Sequence, residues 1–167
     1  MPDVDRCAGC GFEYELANAP RAGLDIIAGA ADIAELLGSG GDVRERPDPA
    51  TWSPVEYGCH VRDVLLVQRE RVLAALITER PSFDPMNRDE RAEYDGYADQ
   101  APDRVARQLD EAAYLFANVL AHFRPGDWDR VLMYNYPEPF ERSLRWVAVH
   151  TVHEVRHHLL DVRRQVA

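Results

Sequence analysis

Four stretches of this chain repeat their apolar residues every three or four positions, and the first three are followed by glycine or proline. That spacing is the mark of a helix burying one face. In the first, Leu24, Ile27, Ala31, Ala34 and Leu37 fall on one stripe between Ala19 and Leu37, and Gly38-Ser-Gly-Gly ends it. The second opens at Ser53-Pro54-Val-Glu56, where Ser53 can cap, proline suits the first helical position and Glu56 can close a capping box. It is predicted to run to about Glu79. The third starts at Pro102, carries Val105, Leu109, Ala112, Ala113, Phe116 and Leu120 in register, and is closed by Arg124-Pro-Gly-Asp. The fourth is predicted from about Phe140 to Arg164. Helices of this length with no convincing sheet predict an all-α four-helix bundle.

Two segments fall outside the periodic pattern. Residues 1–18 form an arm carrying Cys7-Ala-Gly-Cys10, which divides the chain into a 1–18 arm and a 19–167 bundle. Residues 80–101 are aromatic and charged without a period, and ordered loops of that length often act as lids. The run Trp128 to Pro137 is β-prone and predicts a short hairpin or an extended crossover.

A chain of 167 residues and 19.0 kDa is one domain in size. Its net charge of -10 argues against nucleic acid and anionic lipid as partners. No apolar run approaches the ~18 residues of a membrane helix, and the polar, acidic start does not read as a targeting segment. A cytoplasmic protein with a small-molecule substrate is expected, and a homodimer is compatible with the chain.

Chemistry concentrates in the last helix, in His150-Thr-Val-His153-Glu154-Val-Arg-His157-His158. Histidines at i and i+4 can hold one metal ion through two ring nitrogens. As a lone pair they are as easily a solvated polar face. A partner stands on another helix, His60, one turn into the second, and bundles build metal sites from facing helices. Read literally, His153-Glu154-Val-Arg-His157 is also the H-E-x-x-H pattern of zinc peptidases, with Glu154 as general base. Only ten residues follow His157, so the further ligand of that class is missing, Asp161 being the sole carboxylate on the same face.

The segments Trp52-Ser-Pro-Val-Glu-Tyr-Gly-Cys-His60-Val-Arg-Asp-Val and Thr151-Val-His153-Glu-Val-Arg-His157-His158-Leu-Leu-Asp-Val resemble the DinB/YfiT-like family of metal-dependent four-helix bundles. The resemblance covers about residues 19–165. It implies a divalent ion (zinc, nickel or iron) on His60, His153 and His157. It also implies thiol-dependent transferase or isomerase chemistry with a low-molecular-weight thiol such as mycothiol. A metal-dependent transferase or hydrolase is therefore expected, against the alternatives of a non-enzymatic metal-binding or interaction protein and of a zinc peptidase. Three protein ligands would leave an open coordination position. His150 is a pocket acid or base or a buried, bonded histidine, and Glu154 and Asp161 are partners for the imidazoles. His122 reads as a helix-end cation.

The cysteine arm departs from the family pattern. Cys7-x-x-Cys10-Gly looks like half of a zinc knuckle, and Cys59 is the only cysteine left to complete it. Cys7, Cys10 and Cys59 are thus grouped as a second metal site with an unassigned fourth ligand. His158 is disfavoured for that place, because on antiparallel helices it and Cys59 turn to opposite sides.

Overall fold

The computed structural model describes residues 6–166, and all four predicted helices form in it. The first is α1, Ala22–Gly38, entered through a 3-10 turn, Leu16–Arg21, that contains Pro20. The second, α2, spans Pro54–Ile77 with its capping box complete: the Ser53 hydroxyl accepts from the Glu56 amide, and the Glu56 carboxylate accepts from the Ser53 amide at 2.9 Å. Arg46 pairs with the same carboxylate, so a buried acid fixes both the helix start and the loop before it.

The segment 80–101 is more structured than its sequence predicts. It contains β1 (Ser82–Phe83), the short helix α3 (Arg88–Tyr94) and a 3-10 turn, Tyr97–Asp99. Helix α4 (Pro102–Ala121) follows, then β2 (Val131–Asn135) and β3 (Pro139–Ser143). The last helix, α5, is Leu144–Val166.

Helices α1 and α2 each pack against both α4 and α5 and touch one another only lightly, so they lie on a diagonal of the bundle. The core is built from Ile26, Ile33, Val55, Leu65, Leu109, Phe116 and Val147, all fully buried. At Gly29 the α1 backbone comes so close to α5 that a Cβ would sit 2.6 Å from the Val155 Cγ1 methyl. A side chain there would push apart the helix that bears the histidines.

Two sequence expectations are corrected here. A three-stranded sheet exists, in the order β1-β2-β3: the antiparallel β2–β3 pair is the short hairpin expected of the β-prone run, and the parallel β1–β2 pairing is not expected from sequence. A strand of two residues is too short to leave a periodic signal, and it forms by pairing with a segment some fifty residues away. The fourth helix begins at Leu144 rather than near Phe140, because residues 139–143 are used as a strand first.

The segment 80–101 is held at both ends. At one end β1 pairs with β2. At the other, the fully buried Tyr97 donates its hydroxyl to Asp63 at 2.7 Å. Beside it Arg62 donates to Asp63, Asp95, Gln100 and Gln108 at 2.7–3.0 Å. Between these anchors α3 has no buried residue. Among the described residues no helix is long and apolar enough to cross a membrane.

Candidate metal centre

On α2 the residues His60, Val64, Gln68 and Arg71 recur at intervals of four, four and three, which places them along one stripe. Because α2 packs against α5, that stripe faces the histidines of the last helix. Together with α3 and the sheet they enclose a pocket of about 470 Å³, lined also by Arg88, Tyr134, His150, His153, Glu154, His157 and His158.

The expected trio of His60, His153 and His157 is split. The ligand atoms of His60, Glu154 and His158 lie within 4.8 Å of one another, as do those of Cys7, Cys10, His153 and His157, and a third group of His150, His153 and Glu154 bridges the two. The reason is angular: one residue along a helix turns the side chain by about 100°. His153 and His157 turn toward the arm, while Glu154 and His158, also four residues apart, turn toward α2. His158, disfavoured from sequence as a partner for the cysteines, stands beside His60 with ring centroids 4.9 Å apart.

In the pocket set, His158 Nδ1 lies 3.0 Å from Asp161 Oδ2, which leaves its Nε2 on the side of Glu154 Oε2, 3.9 Å away. Carboxylates hold metal-binding imidazoles in the needed tautomer in this way. Burial and the neighbouring His158 drive the His60 pKa down to about 3, so its imidazole is neutral at ordinary pH. His60 Nδ1 is buried with no hydrogen-bond partner. Burial alone would raise the Glu154 pKa, but the hydrogen bond with His153 and electrostatic interaction with the neighbouring His150 and His158 rings hold it far below the usual carboxylate range. Glu154 is therefore an anion suited to binding a cation and poorly suited to taking a proton. Two imidazoles, that of His60 with an unpaired buried nitrogen, and a fixed carboxylate fit a divalent ion bonded at about 2.0–2.2 Å.

Glu154 is thus reassigned from general base to candidate ligand. The peptidase pattern is not favoured either, since Glu154 Oε1 lies 3.2 Å from His153 Nδ1 and the same carboxylate groups with His60 and His158, so it does not stand free as a base. His150 keeps a place in the pocket. Its ring stacks on Trp146 at 4.4 Å and its Nδ1 is 3.0 Å from the Tyr14 hydroxyl, while burial lowers its pKa to about 4.

Cys59 is not part of either set. It is fully buried, its thiol points to Gln100 Oε1 at 3.5 Å, and burial raises its pKa to about 12. It is a protonated core thiol, facing the lid anchor rather than the arm, and its grouping with Cys7 and Cys10 is corrected accordingly. At Cys7, burial opposes ionisation but the Cys10 amide and the His153 ring outweigh it and bring the pKa to about 6. His122 lies at the exposed end of α4 with Nδ1 2.7 Å from the Asn118 carbonyl, away from the pocket.

Sequence reading missed Gln68 and Arg71. Both are buried polar residues two and three turns beyond His60, so extending the His60 stripe at helical spacing would have found them. Gln68 donates to the Tyr134 hydroxyl at 2.8 Å, and the Arg71 guanidinium sits 4.9 Å from the centre of the Tyr134 ring.

The DinB superfamily model matches residues 30–162 of the chain. Among solved structures, YfiT from Bacillus subtilis, described as a probable metal-dependent hydrolase with an unusual four-helix bundle topology, superposes with a TM-score of 0.76. The identity is 14%, and the match covers 89% of this chain and 87% of that one. No curated protein matches the sequence significantly.

Proposed function

The chain belongs to the DinB superfamily, and from that premise we propose that it is a metal-dependent enzyme acting on a small molecule in the pocket between α2 and α5. The observation that carries this reading is the ligand set itself: His60, Glu154 and His158 converge on the wall of a pocket of about 470 Å³. Three protein donors leave a coordination position for a reactant. A divalent ion held there, with zinc the first candidate and nickel or iron the others, would supply Lewis acidity and an ionised water or thiol.

The chain's own residues provide the rest. Asp161 orients His158 through Nδ1, and Glu154 keeps negative charge beside the His60 and His158 imidazoles. His150 is neutral at ordinary pH, and with Nδ1 engaged by Tyr14 its Nε2 is left to accept or return a proton. Arg71, buried on the pocket wall, offers positive charge to an anionic substrate group. The pocket polarises and positions while α3 covers it from the lid side. Hydrolysis draws support from the description of YfiT, and transfer to or from a low-molecular-weight thiol from the family resemblance. On either reading the protein works in the cytoplasm.

The test is cobalt substitution, read as a difference spectrum when a reactant is added. A small thiol that adds a thiolate-to-metal band supports transfer, and a response confined to azide or a hydroxamate supports hydrolysis. Indifference to all three would refute an open catalytic position. His60→Ala and His158→Ala should each remove one metal equivalent and abolish the response while helical content is kept.

A further inference from the structure

The arm brings its two cysteines to the edge of the pocket where His153 and His157 stand on α5. Cys7 Sγ lies 3.7 Å from His157 Nδ1, and the ligand atoms of Cys7, Cys10, His153 and His157 all fall within 4.8 Å of one another. These are two thiols and two imidazoles, drawn from segments nearly 150 residues apart, with the Cys-x-x-Cys and His-x-x-x-His spacings that suit tetrahedral zinc.

The backbone around them is built for this approach. The Cys7 amide donates to the Phe12 carbonyl and the Gly11 amide to the Cys7 carbonyl, both at 2.8 Å, which folds residues 7–12 into a tight turn. Gly11 takes a φ of +72°, which glycine adopts without strain. At Gly9 a Cβ would lie 3.1 Å from His157 Cε1, so the arm reaches the imidazole closely because nothing projects there.

His153 supplies an independent sign. It is 8% exposed, Phe12 and Tyr14 pack on its ring at 5.4 and 5.3 Å, and its Nδ1 lies 3.2 Å from Glu154 Oε1, yet neither ring nitrogen makes a well-aligned hydrogen bond. A buried imidazole without an aligned partner on either nitrogen is rare in a folded protein unless something else binds it. Asp161 stands 3.8 Å from His157 Nε2, while Cys7 lies on the Nδ1 side of that ring, so Nδ1 is the nitrogen that faces the cysteines.

We propose that Cys7, Cys10, His153 and His157 bind a zinc ion in a closed four-ligand site, distinct from the His60, Glu154 and His158 set, that fastens the N-terminal arm to α5. With four protein donors there is no open position, so this ion is structural. Through Tyr14, whose hydroxyl meets His150, the staple also fixes one wall of the pocket. The pocket's own ligands are then Glu154 and His158 with His60, because their neighbours on α5 are committed elsewhere.

Metal content, cobalt spectra and mercurial release on the full chain test this. Wild-type protein should hold two equivalents, and its cobalt form should show thiolate charge-transfer absorption without added thiol. Titration with p-hydroxymercuribenzoate should release one equivalent. His60→Ala should lose one equivalent and keep the thiolate absorption, and Cys7→Ser should lose one equivalent together with that absorption. Cobalt protein without the absorption, or mercurial treatment that releases no metal, overturns the proposal, and both readings use the wild-type chain, so they decide even if Cys7→Ser does not fold. A His60→Ala protein that keeps its full metal content and its thiolate absorption would count against the pocket site alone.

Discussion

Helices α2 and α4 pack against each other and are similar in length, but they bury opposite kinds of side chain. The inner face of α4 is Val105, Leu109, Ala112, Ala113, Phe116, Ala117, Val119 and Leu120, with no polar residue among them. Helix α2 buries Glu56, His60, Arg62, Asp63, Gln68 and Arg71 as well as its apolar residues. Burying a polar group costs free energy unless it is bonded. Glu56 is satisfied by Ser53 and Arg46, Arg62 by Asp63 and the lid, and Gln68 reaches Tyr134. His60 keeps an unpaired nitrogen. A helix that only holds the bundle together has no reason to carry such residues, so the contrast marks α4 as scaffold and α2 as the working helix.

The sharpest way to break this contrast is to remove mass from α4. Phe116→Ala should destabilise the fold by about 3–5 kcal/mol in urea unfolding, with pocket metal binding retained wherever the protein remains folded. Next comes the network that α2 shares with the lid: Asp63→Ala leaves Arg62 and the Tyr97 hydroxyl short of a partner and should cost about 1.5–3 kcal/mol. A cost as large as that of Phe116→Ala would mean that the polar face is itself the scaffold.

Smaller effects are expected at the start of α2. Ser53→Ala should cost about 1 kcal/mol by removing the cap. Burial pushes the Glu56 pKa up, but Arg46 and Ser53 reverse that and leave it below its ordinary 4.5. Its stabilising contribution is therefore complete above that value and lost as pH falls toward the lower folded pKa. Unfolding measured between neutral and acidic pH should show this loss, and Glu56→Gln should flatten the acid limb of the profile. The smallest effect on the metal-free fold belongs to His60→Gln, expected below about 1 kcal/mol, although it should remove one metal equivalent. A loss of several kcal/mol would make His60 a core residue.

Much of α4 and of the α2 start could be read directly, because a single apolar stripe and a Ser-Pro-x-Glu cap are local signals. The facing of α2 and α5 followed from bundle logic, and His60 and the α5 histidines do share one pocket. Which residues of α5 turn toward α2 could not be read. His153 with His157 and Glu154 with His158 have the same spacing, and the choice between them depends on a rotation of about 100° that helix packing sets. Cys7 and Cys10 were recognised as a pair, but their partner lay beyond local pattern, and Cys59 was grouped with them by residue type alone. The strand β1 shows the same limit, since two residues become a strand only when β2 is beside them.

The anchors of the lid bear on how anything enters the pocket. With β1 paired to β2 and Tyr97 buried on Asp63, the segment resembles a strap buckled at both ends more than a flap with one hinge. Passage that spares both buckles comes from lifting the middle, where α3 buries nothing and Arg88 lies 5.7 Å from the centre of the Trp52 ring. The slack between two fixed points then sets an upper limit on the size of what can pass, so in this fold selection by size belongs to the doorway before the pocket chemistry begins.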